Sequence, residues 1–339
     1  MSKGKILVTG GCGYIGSHTI VDLIEHGYEV VSVDNLSNAD ESALSGVAQI
    51  TGVEVKNHVI DLADREATLQ LFREESFTGV IHFAALKHVG ESVHQPVRYY
   101  QNNLNSLLNV IEAMQETGCQ HLIFSSSCSV YGNTEELPVT EKTPRQQAES
   151  PYGRTKQMCE DILFDVCRIS PDFQAVLLRY FNPAGAHPSS LIGEASSNPA
   201  SNLAPVITET AIGKRQEMMV FGDDYDTSDG SCVRDYIHVV DLAHAHTLAL
   251  DYLRGNRQGS NCELFNLGIG TGVSVLEAIH AFETVADIKL NYRIGERRAG
   301  DVVSIYANAD KAAQELGWKP RYSIEDIMKT AWAWEQKRT

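Results

Sequence analysis

The chain has 339 residues, 43% hydrophobic and 21% charged, the composition of a folded globular protein and not of a disordered or fibrous one. Its 28 Lys and Arg stand against 44 Asp and Glu, and the formal charge of −16 disfavours nucleic acid and anionic membrane as partners while leaving room for a small anion held by a few local cations. Seven cysteines without a C-x-x-C pair, an N-terminal apolar run too short for an export signal and no stretch of about 18 apolar residues predict a cytoplasmic chain with reduced thiols.

Residues 5–9 (KILVT), 29–33 (EVVSV), 53–60, 80–83 (VIHF) and 121–125 (HLIFS) are predicted strands, separated by predicted helices at 17–26, 39–51, 65–75 and 99–117. Strands that are apolar throughout, alternating with amphipathic helices, predict an α/β fold: a doubly wound parallel sheet with helices on both faces. The helix at 99–117 carries two apolar stripes, one at 100, 104, 107, 108 and 111, the other at 99, 110 and 114. One sheet does not use both, so the second faces either a helix of a second subunit or another part of this chain. A helix at 152–168 and a strand at 174–180 (QAVLLRY) extend the unit. Breakers then become dense, with Pro183, Gly185, Pro188, Gly193 and Pro205, and a smaller α/β lobe is predicted to begin. It is expected to hold helices near 204–213, 240–253, 275–285 and 324–335 and a strand at 263–267. The division is therefore placed at 1–181 and 182–339, with segments free to cross back.

The first strand is followed by Gly10-Gly11-Cys12-Gly13-Tyr14-Ile15-Gly16 and then by helical spacing. Glycines allow a tight turn and close backbone approach, and the helix start offers free N–H groups to a pyrophosphate. The second strand ends at Asp34, 18 residues beyond Gly16, where a carboxylate accepts ribose hydroxyls and repels a 2′-phosphate. A Rossmann unit binding NAD in preference to NADP is the expectation, with residues 1–181 as its domain. Asp61, at the end of the third predicted strand, is a candidate for the adenine amine.

Tyr152 and Lys156 lie at i and i+4 at the start of a helix, 25 residues after Ser127 counted to Tyr152, and this is the one Y-x-x-x-K pair in the chain. A free phenol has a pKa of about 10, and lowering it by about three units requires about 4 kcal/mol of preferential phenolate stabilisation. A neighbouring ammonium and a pyridinium both favour the anion. Lys156 is the candidate ammonium, Tyr152 the candidate base and Ser127 the hydroxyl that steers the substrate oxygen, a set suited to removing a proton from an alcohol as hydride leaves its carbon. No metal site is predicted: the closest histidines, His244 and His246, are two apart and point different ways.

The glycine turn, Asp34, Ser127 and the Tyr152/Lys156 pair resemble the extended short-chain dehydrogenase/reductase family. Longer strings, HFAALK at 82–87, FSSS at 124–127, LRYFNP at 178–183 and VRDYIHV at 233–239, resemble its UDP-hexose 4-epimerases along essentially the whole chain. The resemblance implies a tightly bound NAD, oxidation of the hexose at C4 to a transient 4-keto sugar and return of the hydride to the opposite face, interconverting UDP-galactose and UDP-glucose in galactose metabolism. It assigns Tyr152, Ser127 and Lys156 to catalysis. It assigns Gly10, Gly13, Tyr14, Ile15, Gly16, Asp34, Asn35, Leu36, Ser37, Asn38, Ala39, Asp61, Leu62, Phe83, Ala84, Ala85, Lys87, Asn102 and Phe181, with the catalytic three, to the cofactor. Ser127, Asn182, Asn202, Leu203, Met219, Val220, Phe221, Arg234, the run from Arg298 to Asp301, and Ile305 fall to the UDP-sugar and mark 182–339 as its lobe. Arg234 and Arg298 suit a pyrophosphate through their planar donor forks. Asp301 is suited to accept hydroxyls of the uridine ribose.

An epimerase must grip UDP firmly and the keto sugar loosely, so binding energy is expected to sit on the nucleotide. Ile305, intermediate in size, leaves N-acetylated UDP-hexoses open as substrates, and UDP-glucuronate or UDP-N-acetylglucosamine 4-epimerases are the nearest alternatives. A 4,6-dehydratase would carry Asp-Glu after a Thr where this chain has Ser127-Cys128-Ser129. A catalytically inactive NAD-sensing regulator would have no use for Tyr152 and Lys156 together. A homodimer is the expected assembly.

Overall fold

The computed structural model describes residues 2–195, 200–298 and 301–338. In chain order the first half runs β1 (Lys5–Thr9), α1 (Tyr14–Glu25), β2 (Glu29–Val33), α2 (Ser42–Thr51), β3 (Asn57–His58), α3 (Arg65–Glu74), β4 (Gly79–His82), α4 (Val89–His94), α5 (Pro96–Thr117), β5 (His121–Ser125), α6 (Pro151–Ile169) and β6 (Gln174–Tyr180). The second half adds β7 (Asn182–Ala184), α7 (Leu203–Ala211), β8 (Met218–Phe221), β9 (Val233–Arg234), β10 (Tyr236–His238), α8 (Val239–Arg254), β11 (Cys262–Leu267), β12 (Val273–Ser274), α9 (Val275–Ala286), β13 (Tyr292–Gly295), β14 (Ser304–Ile305) and α10 (Ile324–Lys337).

Seven parallel strands in the order β3-β2-β1-β4-β5-β6-β11 form the main sheet, the doubly wound arrangement that the alternation of strands and helices predicts. Successive strand residues point to opposite faces, which is why these strands are apolar throughout. Ile6, Val8, Ile81 and Ile123 are buried with Ile20 and Leu23 of α1, Val47 of α2 and Leu242 and Leu250 of α8. Leu7, Val80, Leu122 and Phe124 are buried on the other face with Leu69 of α3, Val110 of α5 and Leu163 of α6. The smaller lobe builds its own core from Ile207, Val220, Ile279, Phe282, Ile327 and Met328. Short strands knit it together: β10 with β7, β13 with β8, and β12-β9-β14.

Several expectations need correction. The helix expected at 240–253 and the strand at 263–267 do not stay in the smaller lobe: β11 pairs in parallel with β6, and α8 covers one face of the main sheet. The strand expected at 53–60 is reduced to Asn57 and His58, paired with β2 at the sheet edge, where Val53 and Val59 face solvent. Helix α1 starts at Tyr14, not at 17, because Gly13 serves as its N-cap. Helix α5 starts at Pro96, where a missing N–H is harmless in the first turn. On α5, residues from both stripes, Tyr99, Leu107, Val110, Ile111 and Met114, are buried within the chain, whereas Leu108 is 45% exposed. No helix among the described residues is long and apolar enough to cross a membrane.

Candidate functional site

The strand order reverses between β1 and β4, and a crevice opens there at the carboxyl ends of the strands. A cleft of about 530 Å³ fills it. Its lining includes Gly10, Gly13, Tyr14, Ile15, Gly16, Asp34, Asn35, Ser37, Asn38, Ala39, Asp61, Leu62, Phe83, Ala84, Ala85, Lys87, Asn102 and Phe181, together with Ser127, Tyr152 and Lys156. Leu36 is not among them; it stands at φ +58° and packs against the core beneath α1 and α2.

The turn after β1 is built for close backbone approach. A Cβ on Gly16 would lie 2.2 Å from the Gly10 carbonyl oxygen, so the helix start can sit on the turn only with glycine there. No side chain caps the start of α1 and no acidic residue occupies its first turn, leaving its positive end to the cleft. Asp34 is held at the end of β2 by the N–H groups of Cys12 (3.2 Å) and Leu36 (2.9 Å). Burial nevertheless pushes its carboxyl above the ordinary value, against those two bonds. An uncapped helix terminus beside a fixed carboxylate fits the pyrophosphate and adenosine ribose of a dinucleotide.

At the other end of the cleft, Ser127 follows β5 and Tyr152 and Lys156 occupy the first turns of α6, where Ser150 caps the helix and Pro151 opens it. The Ser127 hydroxyl accepts from Ser129 N–H at 3.2 Å and from the Ser129 hydroxyl at 3.0 Å, which fixes its rotamer. Burial pushes the Tyr152 phenol up to about 12, and a hydrogen bond with Ser127 pulls it partly back. Lys156 donates to the Ser125 carbonyl at 2.6 Å, and its ammonium lies 5.9 Å from the centre of the Tyr152 ring. Burial draws its pKa down to about 8.

Sequence reasoning missed the supports of this set. Asn103, one residue beyond the predicted Asn102, is buried; it accepts from Leu86 N–H at 2.8 Å and donates to Leu86 O and the Thr155 hydroxyl, tying the loop after β4 to α6. Glu160, one turn after Lys156 and fully buried, accepts from the Ser126 hydroxyl at 2.6 Å and from Arg179 of β6 at 2.8 and 2.6 Å. It stands behind the peptide that carries Ser127. A buried Glu at i+4 from Lys156 was the available signal, since carboxylates are rarely fully buried without a partner.

Of the residues expected on the UDP-sugar, Asn182, Asn202 and Leu203 line the same cleft. Arg234, Arg298 and Asp301 form a separate group: Arg298 donates to the Asp301 carboxylate at 3.1 and 2.7 Å, and Arg234 lies 3.5 Å from it. Phe221 lies under the Arg298 guanidinium, at 5.3 Å. Ile305 pairs with Arg234 in the β14–β9 ladder and packs with Val130, Tyr131 and Phe181, beside the serine segment. Met219 is half-buried, whereas Val220 is turned into the lobe's core. Residues 299 and 300 lie outside the described residues.

This strand order, glycine turn and grouped Ser, Tyr and Lys define a protein of the short-chain dehydrogenase/reductase class. The chain belongs to the GDP-mannose 4,6 dehydratase family, whose family model matches residues 7–331. It is similar along its length to UDP-glucose 4-epimerases: that of Dictyostelium discoideum is 47% identical over 331 residues, 98% of this chain and 95% of the relative. That of Bacillus subtilis is 47% identical over 330 residues, 97% of this chain and 96% of the relative. Among solved structures, the UDP-glucose 4-epimerase of Bifidobacterium longum in complex with NAD+ and UDP has a TM-score of 0.94 at 46% identity, covering 98% of each chain.

Proposed function

We propose that this chain is a UDP-glucose 4-epimerase that interconverts UDP-galactose and UDP-glucose with retained NAD. The observation that carries it is the meeting of Ser127, Tyr152 and Lys156 with the glycine turn in one cleft, in a chain of this family. The glycine turn, Asp34 and Lys156 would hold NAD, which when bound would supply a reversible hydride acceptor at C4. Tyr152 takes the proton of the C4 hydroxyl and later returns it to the same oxygen, and Ser127 donates to that oxygen while its charge changes. Lys156 holds the nicotinamide ribose and adds positive charge to the site. Arg234 and Arg298 grip the diphosphate, Asp301 the uridine ribose, and the sugar turns between the two presentations. Binding energy on the nucleotide serves this, because contacts to the hexose would have to be broken at every turnover. Residues 1–181, with α8 and β11 returning to them, act as the cofactor part, and the remainder as the UDP-sugar part. A dehydratase reading is disfavoured at Ser127-Cys128-Ser129, which offers no carboxylate for elimination.

Incubating the purified chain with UDP-galactose and no added NAD is expected to yield UDP-glucose. No product with or without NAD would overturn the proposal. UDP-N-acetylgalactosamine in parallel reads the tolerance set at Ile305. Cytoplasmic action and a homodimer are part of the same reading. Leu108 of α5 and Phe164 of α6, on neighbouring helices, are 45% and 37% exposed, and a second copy of this chain would cover them. Sedimentation at micromolar concentration is expected to give twice the 37.3 kDa chain mass, and Leu108→Glu to give the single chain.

A further inference from the structure

We propose that Asp22, His26 and His244 bind one divalent transition-metal ion of the zinc class, forming a clasp between α1 and α8 toward the end of α1 opposite the one that lines the cleft. Asp22 and His26 are one turn apart on one face of α1, with His26 as its C-cap residue, and His244 comes from α8. His26 Nδ1 and His244 Nδ1 lie 3.3 and 3.4 Å from the same carboxylate oxygen of Asp22, its Oδ2. One ligand atom from each residue can be chosen so that all lie within 4.8 Å of one another. A tetrahedral ion with bonds of about 2.0–2.1 Å holds its donors about 3.3–3.4 Å apart, so the two Asp–His edges already have coordination length. The imidazoles, with ring centres 5.2 Å apart and planes tilted by 35°, close the third edge by a small rotation.

Two imidazoles and one carboxylate are a donor set suited to zinc and its neighbours. The carbonyl end of α1 adds negative potential. Arg321, near enough to feel Asp22, is already neutralised by Asp241 at 2.9 Å. The His26 and His244 side chains are 35% and 24% exposed, which gives the ion an entry path and water a fourth position. His26 Nδ1 also donates to the Asp22 carbonyl at 2.7 Å. Metal binding displaces that proton, so affinity falls as pH falls.

The full chain, stripped with a chelator and titrated with Zn²⁺ alone at pH 8, is expected to bind one ion in calorimetry and to melt several degrees higher when saturated. The double variant His26→Gln/His244→Gln is expected to keep wild-type turnover and to lose both the bound ion and the zinc-dependent shift. A wild-type chain with no zinc heat and no shift would overturn the proposal. So would a double variant that keeps both, since the zinc would then be held elsewhere, for example on cysteine thiols. The readout is the difference made by zinc, so a lower starting melting temperature in the variant does not obscure it.

Discussion

Replacing Tyr152 by Phe is expected to lower turnover of UDP-galactose by about 10²- to 10⁴-fold, the usual contribution of a positioned acid–base group, with KM nearly unchanged. The substitution removes a single oxygen from a half-buried ring that lines the cleft and leaves a shape that the same surroundings accept. In this reading NAD is held by the turn at Gly16 and UDP by the arginines of the smaller lobe, so UDP titration is expected to give wild-type affinity. The pH profile adds a separate test. The protein alone pushes the phenol up to about 12, and deprotonation in turnover therefore depends on positive charge beside it. Wild-type kcat is expected to fall on the acid side as the phenolate is lost, and the Phe variant's residual rate to be flat there. A variant within a few-fold of wild type would remove Tyr152 from the chemistry.

Local features were legible in the sequence, whereas features made by distant residues were not. Strands β1, β2, β5 and β6 match their predicted spans because runs such as KILVT are apolar on both faces and end in turn residues. The glycine turn and Asp34 could be read because strand, turn and helix are contiguous. In the smaller lobe β7, β8, β9, β10, β12 and β14 have two to four residues each, too few for any period to show. The return of β11 to the main sheet was hidden because CELFNL reads the same at the edge of either sheet. Arg298 and Asp301 meet as chain neighbours, but Arg234 joins them only through the β14–β9 ladder. The Asp22, His26 and His244 group was missed for the same reason: helices α1 and α8 bring His244 to residues 222 and 218 positions before it.

The Glu160–Arg179 pair yields the second large effect, and the expected order of variants separates position from charge. Glu160→Gln is expected to cost about 3–5 kcal/mol of stability, seen as a large fall in melting temperature, because it leaves Arg179, 3% exposed, without its counter-charge. Glu160→Leu/Arg179→Leu removes both charges and is expected to be more stable than Glu160→Gln, since a buried pair is offset by the desolvation of its two ions. Arg145 does not upset this order: it reaches Glu160 at 3.4 Å from a more exposed position and keeps Asp161 as a partner when Glu160 is gone. Activity is expected to follow a different ranking. The double variant removes the acceptor that holds the Ser126 hydroxyl at 2.6 Å, one residue before Ser127 and behind the carbonyl that orients Lys156, whereas Gln keeps an amide oxygen that can still accept it. The double variant should therefore be the more stable of the two and the slower, while UDP affinity stays near wild type in both. If kcat rises together with melting temperature, Glu160 contributes to folding alone and has no part in positioning Ser127 and Lys156.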